Sequence, residues 1–218
     1  IIGKCCFGGL DLLISKDVLV PRADTEILIE QVLQYYPDKN KNLNILDLGT
    51  GSGAIGLSLA SEYKNANITA TDISIKALDI AKKNAIKNNI NNINFLSGKW
   101  YEALDLDNKF FNKFDIICSN PPYIDSKDTD ICKSVKEFEP NIALFSEDNG
   151  LSDIKIIINQ ASKYLKQEGL VFVEHGYSQA NNVREIFNQS GFVNVNTAKD
   201  LSGKDRVSLG MVETGLLR

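Results

Sequence analysis

The chain has 218 residues, of which 43% are hydrophobic and 24% charged, a size and composition typical of one soluble globular domain rather than a membrane protein. The 24 Lys and Arg residues are outnumbered by 28 Asp and Glu residues, so the net charge of −4 excludes a global positive field that would attract nucleic acid. Four cysteines without CxxC spacing and a single histidine argue against a metal site, a disulfide framework and a Ser-His-Asp triad, and they favour a cytoplasmic location.

The beginning of the chain predicts a β-hairpin followed by a helix. Two short apolar runs, at residues 10–14 and 18–20, are separated by a three-residue polar segment, and this pattern predicts the hairpin. From Ala23 onward, apolar residues recur at helical spacing. We expect residues 1–38 to pack as an N-terminal hairpin and helix on a main domain that spans residues 39–218.

The main domain alternates apolar runs with amphipathic runs. The predicted strands are residues 44–48, 67–71, 93–96, 114–119, 170–174, 192–195 and 206–211, and the predicted helices are residues 54–63, 75–87, 151–166 and 179–190. This alternation is typical of repeated βαβ units. The sequence therefore predicts an α/β fold with a doubly wound, mostly parallel, seven-stranded sheet.

A glycine-rich loop joins the first predicted strand of this domain to the helix that follows. The loop reads Gly49-Thr50-Gly51-Ser52-Gly53, and Asp72 ends the next strand 19 residues beyond it. An acid at this position suits the hydroxyl groups of an adenosine ribose, so the pair predicts an adenosine-containing ligand. Gly51, Gly53 and Gly56 also satisfy the GxGxxG spacing of dinucleotide-binding proteins, and Asp72 could instead cap the following helix.

A second motif, Asn120-Pro121-Pro122-Tyr123, follows the predicted strand at residues 114–119 and therefore lies at the same edge of the sheet. Prolines lack the N–H donor and leave their carbonyls free to accept, and Asn120 adds a side-chain acceptor. Such a group can accept both hydrogens of a planar NH2 group, while Tyr123 offers a flat apolar face. Because the lone pair of an amide nitrogen is delocalised, holding both hydrogens would orient the nitrogen toward a sulfonium methyl group.

In the glycine-rich loop, Asp72 and the Asn120 to Tyr123 motif, the chain resembles class I S-adenosylmethionine-dependent methyltransferases that modify planar NH2 groups. It most resembles the peptide chain release factor glutamine N5-methyltransferases, the HemK/PrmC family. The segments that carry this closer resemblance are Asp47 to Gly53, Asn120 to Tyr123, Val20 to Glu26, Phe138-Glu139-Pro140, Glu174-His175-Gly176 and Asp205 to Gly210.

The resemblance implies a cofactor, a substrate and a set of site residues. S-adenosyl-L-methionine, with S-adenosyl-L-homocysteine as its product, would be bound by Gly49, Thr50, Gly51, Ser52, Gly53, Asp72, Trp100 and Asn120. The substrate glutamine would be held by the catalytic residues Asn120, Pro121, Pro122 and Tyr123. In the family this glutamine belongs to the Gly-Gly-Gln motif of release factors, which are therefore the expected partners, and no metal is implied.

The sequence departs from the family in three places. Ala23 stands where the family usually has proline, and Lys99 stands where it usually has an acid before Trp100. The helical N-terminal domain of the family is absent from these 218 residues, so the resemblance covers the catalytic domain.

Other functions remain open from the residues alone. An N6-adenine or N4-cytosine nucleic-acid methyltransferase could hold a flipped base amine in the same pocket, although the acidic composition argues against direct nucleic-acid binding. A nicotinamide-binding oxidoreductase would leave Asn120 to Tyr123 without a role. A catalytically silent adenosine-binding protein is a further alternative, and no membrane partner is expected.

Overall fold

The computed structural model describes residues 3–104, 109–125, 127 and 139–215. The strands are β1 (Lys4–Phe7), β2 (Leu10–Leu13), β3 (Asn44–Leu48), β4 (Asn67–Asp72), β5 (Ile93–Ser97), β6 (Phe114–Ser119), β7 (Ile124–Asp125), β8 (Phe145–Ser146), β9 (Leu165–Glu174), β10 (Phe192–Lys199) and β11 (Asp205–Val212). The helices are α1 (Glu26–Tyr35), α2 (Ala54–Glu62), α3 (Ile75–Lys87), α4 (Ser152–Tyr164) and α5 (Ala180–Gln189). Short helical turns lie at Ala23–Thr25, Trp100–Leu104, Asn141–Ala143, Glu147–Gly150 and Tyr177–Gln179.

Seven of the described strands form one central sheet in the order β10-β11-β9-β6-β3-β4-β5. The five strands from β9 to β5 are parallel to one another, and β11 and β10 add an antiparallel edge. The strand order reverses between β3 and β6, and open α/β sheets bind ligands beyond the carboxyl ends of the strands at such a point. The predicted α/β fold with a mostly parallel seven-stranded sheet is confirmed.

The strands of the central sheet are buried on both faces, because their apolar side chains alternate between two hydrophobic clusters. In β3, Ile45 belongs to one cluster and Leu46 to the other, and in β9 Phe172 and Val173 divide in the same way. Helices α4 and α5 supply the second cluster, whereas α1, α2 and the N-terminal hairpin supply the first. The sheet is therefore a rigid support that fixes the positions of the residues at its carboxyl edge.

The hairpin has different strands from those predicted. It pairs β1 with β2, and Phe7 lies opposite Leu10 across a two-residue turn. Gly8 and Gly9 make this turn with positive φ angles of 53° and 75°, which glycine adopts without a steric penalty. The predicted pairing of residues 10–14 with residues 18–20 is wrong, because the double glycine allows the tight turn on the other side of β2.

The N-terminal segment is tied to the glycine loop by the buried side chain of Asn84 in α3. Its Oδ1 accepts a hydrogen bond from the Leu13 N–H at 2.6 Å, and its Nδ2 donates to the Ser52 carbonyl at 2.8 Å. The division of the chain into residues 1–38 and 39–218 stays a proposal, since the hairpin and α1 share the first hydrophobic cluster with the sheet.

In the part of the chain that the structure describes, none of the helices has the length and apolar character needed to cross a membrane.

Candidate active site

The register of four parallel strands sets a row of site residues along the carboxyl edge of the sheet. Thr71, Leu48, Ser119 and Val173 are aligned with one another across β4, β3, β6 and β9. The residues that follow them in the chain are Asp72, Gly49, Asn120 and Glu174. The sheet thereby brings these four residues to neighbouring strand ends, although 102 positions separate Asp72 from Glu174.

The glycine loop is held in shape by backbone hydrogen bonds. Gly49, Gly51 and Gly53 have positive φ angles of 71°, 56° and 87°, a conformation that other residues rarely adopt. The Thr50 N–H donates to the Thr71 carbonyl at 2.9 Å, which fastens the loop to the neighbouring strand. Because nothing lies within 4 Å of the position that a Gly51 Cβ would take, this stretch of backbone is open to a ligand.

The buried side chain of Asp47 stabilises the loop by hydrogen bonds. Its Oδ2 accepts hydrogen bonds from the Thr50 hydroxyl at 2.6 Å and the Gly56 N–H at 2.9 Å. The side chain is fully buried, and burial raises the pKa of its carboxyl to about 6 despite these two hydrogen bonds. Asp47 therefore fixes the turn between β3 and α2.

Asp72 faces the loop from the end of β4. Its Oδ2 accepts from the Gly51 N–H and its Oδ1 from the Ser74 N–H, both at 2.8 Å. Burial raises the pKa of this carboxyl, and the two backbone donors oppose that effect. The N-terminal cap of α3 is Ser74, whose hydroxyl accepts from the Ala77 N–H, so the cap position belongs to Ser74 and Asp72 lines the cavity beside the loop.

A cavity of about 280 Å³ lies over the loop, and we name it the glycine-loop cavity. Its wall includes Gly49 to Ser52, Asp72, Trp100, Asn120 and Pro122. A carboxylate beside an open glycine backbone, in a cavity also lined by the apolar surfaces of Trp100 and Ile73, suits an adenosine moiety that carries vicinal hydroxyls and a flat base. The residues present thus fit S-adenosyl-L-methionine.

Trp100 and Lys99 enter this cavity together with an acid from another part of the chain. The indole Nε1 of Trp100 donates to Asp153 Oδ1 at 3.0 Å, and Lys99 Nζ lies 3.9 Å from the same oxygen. The indole ring lies against Gly49, where an added Cβ would be only 2.9 Å from Cζ3. Asp153 is the first acid of α4 and was not singled out by any sequence pattern.

A second cavity of about 250 Å³ lies on the other side of Asn120, and we name it the Asn-Pro-Pro-Tyr cavity. Its wall includes Arg22, Pro121, Tyr123 and Glu174, and it shares Leu19, Asn120 and Ala143 with the glycine-loop cavity. Asn120 is therefore part of the partition between the two spaces.

The side chain of Asn120 is held by one hydrogen bond. Its Nδ2 donates to the Thr25 hydroxyl oxygen at 3.1 Å, and none of the described residues donates to its Oδ1. Thr25 is only 3% exposed and comes from the short helical turn before α1. Thr25 also lowers the pKa of the nearby Glu174 carboxyl, against the larger opposite effect of burial.

Glu174 is a buried acid that faces the Asn-Pro-Pro-Tyr cavity. The Tyr123 hydroxyl donates to its Oε1 at 3.3 Å, whereas none of the described residues hydrogen-bonds to its Oε2. Burial raises the pKa of the carboxyl to about 7, although Thr25, Arg206 and Tyr123 act in the opposite direction. Burial and the nearby Glu174 charge likewise raise the pKa of Tyr123.

The backbone around Tyr123 is also fixed. The Gln179 side chain donates to the Tyr123 carbonyl at 3.0 Å. The same carbonyl oxygen packs against Gly150, where an added Cβ would be only 2.0 Å from it. None of the described residues donates to the Pro121 carbonyl.

The predicted site residues divide between the two cavities. Seven of them line the glycine-loop cavity only, namely Gly49, Thr50, Gly51, Ser52, Asp72, Trp100 and Pro122; Pro121 and Tyr123 line the second cavity only, and Asn120 lines both. Gly53 lines neither, because it starts α2 and packs so closely that an added Cβ would be 2.7 Å from Leu57 Cδ1. Phe138 and Cys132 lie outside the described residues.

Three residues that contact the site were missed as site residues: Thr25, Asp153 and Glu174. For Glu174 a signal existed, because a charged residue directly after an apolar strand of a parallel sheet lies at the ligand edge. His175 is buried and hydrogen-bonds to Ser208 Oγ at 2.8 Å without lining either cavity.

Comparison with known proteins agrees with this geometry. A family model described as a methyltransferase domain matches residues 39–209. Release factor glutamine methyltransferase of Francisella tularensis subsp. tularensis is 48% identical over 206 residues, which are 94% of this chain and 71% of that protein. The protein of the same name from Aliivibrio fischeri is 42% identical and covers 96% of this chain and 72% of its own length.

The chain is also similar to a solved structure. The crystal structure of protein-(glutamine-N5) methyltransferase (release factor-specific) from Alicyclobacillus acidocaldarius subsp. acidocaldarius is 25% identical, with a TM-score of 0.53. The alignment covers 89% of this chain and 95% of that chain.

The sheet order, the glycine loop with its aspartate and the matched domain define a class I methyltransferase with S-adenosyl-L-methionine as its cofactor. Within this class, the identities of 48% and 42% over nearly the whole chain decide the family. The chain belongs to the release factor glutamine methyltransferase family. The predicted family, enzyme class and cofactor are confirmed, and a nucleic-acid methyltransferase is not favoured.

Proposed function

We propose that this chain methylates the side-chain amide nitrogen, N5, of the glutamine in the Gly-Gly-Gln motif of peptide chain release factors. The observation that carries the proposal is the position of Asn120, which lies in the partition between two cavities and whose Oδ1 receives no hydrogen bond from the described residues. The names of the relatives from Francisella tularensis and Aliivibrio fischeri support the substrate class.

The glycine-loop cavity is the proposed cofactor site. Asp72 would receive the ribose hydroxyls, the open backbone of Gly49 to Ser52 would allow close approach, and Trp100 would form an apolar wall. When bound, S-adenosyl-L-methionine supplies a methyl group on a positively charged sulfur, and transfer replaces the C–S bond by an N–C bond and releases one proton from the nitrogen.

The Asn-Pro-Pro-Tyr cavity is the proposed site of the glutamine side chain. Asn120 Oδ1 and the Pro121 carbonyl are acceptors without donors among the described residues, and together they can receive both hydrogens of the amide NH2 group. The ring of Tyr123 lines this cavity, and its hydroxyl is held by Glu174. The residues thus hold a planar amide with its nitrogen directed at the partition.

The orientation of the Asn120 amide follows from its neighbours. The Thr25 hydroxyl oxygen accepts a hydrogen bond from Asn120 Nδ2 at 3.1 Å, and Thr25 also lowers the pKa of the neighbouring Glu174 carboxyl. Nδ2 is then fixed on the Thr25 side, and Oδ1 is left for the substrate. Thr25 and Glu174 are therefore proposed as positioning residues, and Asn120 as the residue that contacts the amide.

The proposal also covers the surroundings of the enzyme. The net charge of −4 gives no reason to expect direct nucleic-acid binding, and the substrate would be a protein. A cytoplasmic location fits this substrate and the free thiols of Cys5, Cys6 and Cys118.

The test uses S-adenosyl-L-methionine with an isotopically labelled methyl group. The chain is incubated with a release factor, with the same factor carrying Ala in place of the Gly-Gly-Gln glutamine, and with DNA. We expect label on the glutamine amide of the unmodified factor and on neither control. Label on DNA, or label on the factor without the glutamine, would contradict the proposed substrate.

A further inference from the structure

Asp153 contacts both Trp100 and Lys99, although 53 positions separate it from Trp100. It comes from the first turn of α4 and lines the glycine-loop cavity together with Trp100. The inference drawn from this contact rests on the proposed cofactor site.

The contact between Asp153 and Trp100 fixes a side chain whose backbone needs support. Trp100 has a positive φ of 49°, which is unfavourable for a bulky residue. Its indole Nε1 donates to Asp153 Oδ1 at 3.0 Å, and the ring is thereby held against Gly49. Any outward rotation of the ring would break this hydrogen bond and open the wall of the cavity.

Asp153 is itself held by two hydrogen bonds to Ser146. Its Oδ2 accepts from the Ser146 hydroxyl at 2.7 Å, and its own N–H donates to Ser146 Oγ at 3.1 Å. The Asp153 side chain is only 14% exposed, so both carboxylate oxygens are directed into the protein at the cavity wall. A carboxylate fixed in this way can set the position of an indole that contacts it.

Asp153 also compensates the positive charge of Lys99. Lys99 Nζ lies 3.9 Å from Asp153 Oδ1 and lines the same cavity. S-adenosyl-L-methionine carries a positive sulfonium group, so an uncompensated lysine in this wall would oppose its binding.

We propose that Asp153 is a positioning residue of the cofactor site, which holds the Trp100 indole as the wall for the adenine base and neutralises Lys99. It acts through Trp100 and not through the transferred methyl group. The class of ligand that it serves is an adenosine with a cationic substituent.

Trp100 is the single tryptophan of the chain, so its fluorescence reports directly on the indole position. Asp153→Ala removes the acceptor, whereas Asp153→Asn keeps a side-chain oxygen for Nε1. In the free protein we expect a red-shifted emission for Asp153→Ala and an emission close to the unmutated one for Asp153→Asn. By calorimetry we expect Asp153→Ala to weaken S-adenosyl-L-homocysteine binding by about 10-fold, the effect of losing one hydrogen bond to a charged group. Unchanged emission and affinity in Asp153→Ala would overturn the inference.

A double-mutant cycle separates this role from a general effect on α4. Trp100→Phe keeps an aromatic ring but lacks the N–H, so adding Asp153→Ala to it should weaken binding by less than about 3-fold. Ser152→Ala, in the same helical turn, is the matched control and should leave the emission unchanged. S-adenosyl-L-homocysteine has a neutral thioether in place of the sulfonium, so uncompensated Lys99 should have little effect on its binding. A full 10-fold loss in the Trp100→Phe background would therefore also overturn the inference, because the effect would not act through Trp100.

The outcomes for the inference and for the proposed function are distinct. Normal cofactor binding without methylation of a release factor contradicts the proposed substrate and leaves Asp153 in its role. If the Asp153→Ala variant methylates the factor and has the cofactor affinity and the Trp100 emission of the unmutated chain, only the role of Asp153 is contradicted.

Discussion

The two cavities on either side of Asn120 are built in different ways. The glycine-loop cavity has a wall of main chain, from Gly49 to Ser52, whose shape is fixed by backbone hydrogen bonds to Thr71 and to Asp72. The Asn-Pro-Pro-Tyr cavity has a wall of side chains from distant segments, including Arg22, Tyr123 and the buried acid Glu174. In the first cavity a local sequence motif makes the site, and in the second the sheet brings separate segments together.

This difference has an energetic consequence. Backbone donors and acceptors cannot be removed by substitution, so changes around the glycine loop should alter cofactor affinity in moderate steps. The second cavity depends on individual polar side chains, so its substitutions should affect turnover or stability sharply. Asn120 lines both cavities, so the effect of its substitution on turnover and on cofactor affinity tests whether the two cavities form one active site.

Asn120→Ala should have the largest effect. It removes the side-chain acceptor that Asn120 provides in the partition, so we expect turnover to fall on the order of 10²-fold or more, as for deletion of other preorganised polar groups. Cofactor affinity should change much less, because Asp72 and the glycine loop remain. Turnover and calorimetric binding are the measurements, and Asn120→Asp, which adds a charge, should have partial activity at most. An unmutated turnover in a folded Asn120→Ala protein would contradict the proposed mechanism.

Glu174→Gln should change the pH dependence of stability. The Glu174 pKa is raised from 4.5 to about 7 by burial, with Arg206, Asp24, Tyr123 and Thr25 as its charged or polar neighbours. Because the folded-state pKa is raised, its contribution to stability is complete below pH 4.5 and is lost as the pH rises through 7.

As the pH rises from 4.5 through 7, the unmutated chain should therefore lose about 2–3 kcal/mol of unfolding free energy relative to Glu174→Gln. Urea unfolding of both proteins at several pH values between 4.5 and 8 measures the difference. Parallel stability curves for the two proteins would show that Glu174 keeps an ordinary pKa.

Asp72→Ala tests the glycine-loop cavity by itself. Loss of this carboxylate would leave the ribose hydroxyls and the Gly51 N–H unpaired, and we expect cofactor binding to weaken by about 1–3 kcal/mol. Turnover at saturating cofactor should stay close to the unmutated value. Calorimetry with S-adenosyl-L-homocysteine measures the affinity, and an unchanged dissociation constant would remove Asp72 from the cofactor site.

Thr25→Val tests whether the second cavity orients Asn120. Valine has nearly the shape of threonine but cannot accept the hydrogen bond from Asn120 Nδ2, so turnover should fall by up to about 10-fold, with cofactor affinity nearly unchanged. Thr25→Ser keeps the hydroxyl and is the matched control. Equal turnover of the Val and Ser variants would mean that Thr25 does not orient the amide.

The elements around the glycine loop could be predicted closely from the sequence. Strands β3 and β6 and helix α3 have the predicted bounds, because each apolar run is bounded by polar residues or by a cap such as Ser74. The hairpin was predicted incorrectly, because the turn signal of Gly8-Gly9 decides the pairing and the apolar run alone does not.

The positioning contacts could not be predicted from local patterns. Thr25 is 95 residues from Asn120, and Asp153 is 53 residues from Trp100, so no helical or strand spacing relates them. Their proximity follows from the sheet order and from where α4 begins. Residues of this kind become visible only when the strands are placed in register.

The thin partition formed by Asn120 also bears on inhibitor chemistry. Since the two cavities share Leu19, Asn120 and Ala143, one molecule can occupy both if an adenosine part and a glutamine-like amide are joined by a short tether. Once one end is bound, the other end binds at the effective concentration set by the tether length. The same compound would bind poorly to a protein that has only one of the two cavities, so the partition itself becomes the basis of selectivity.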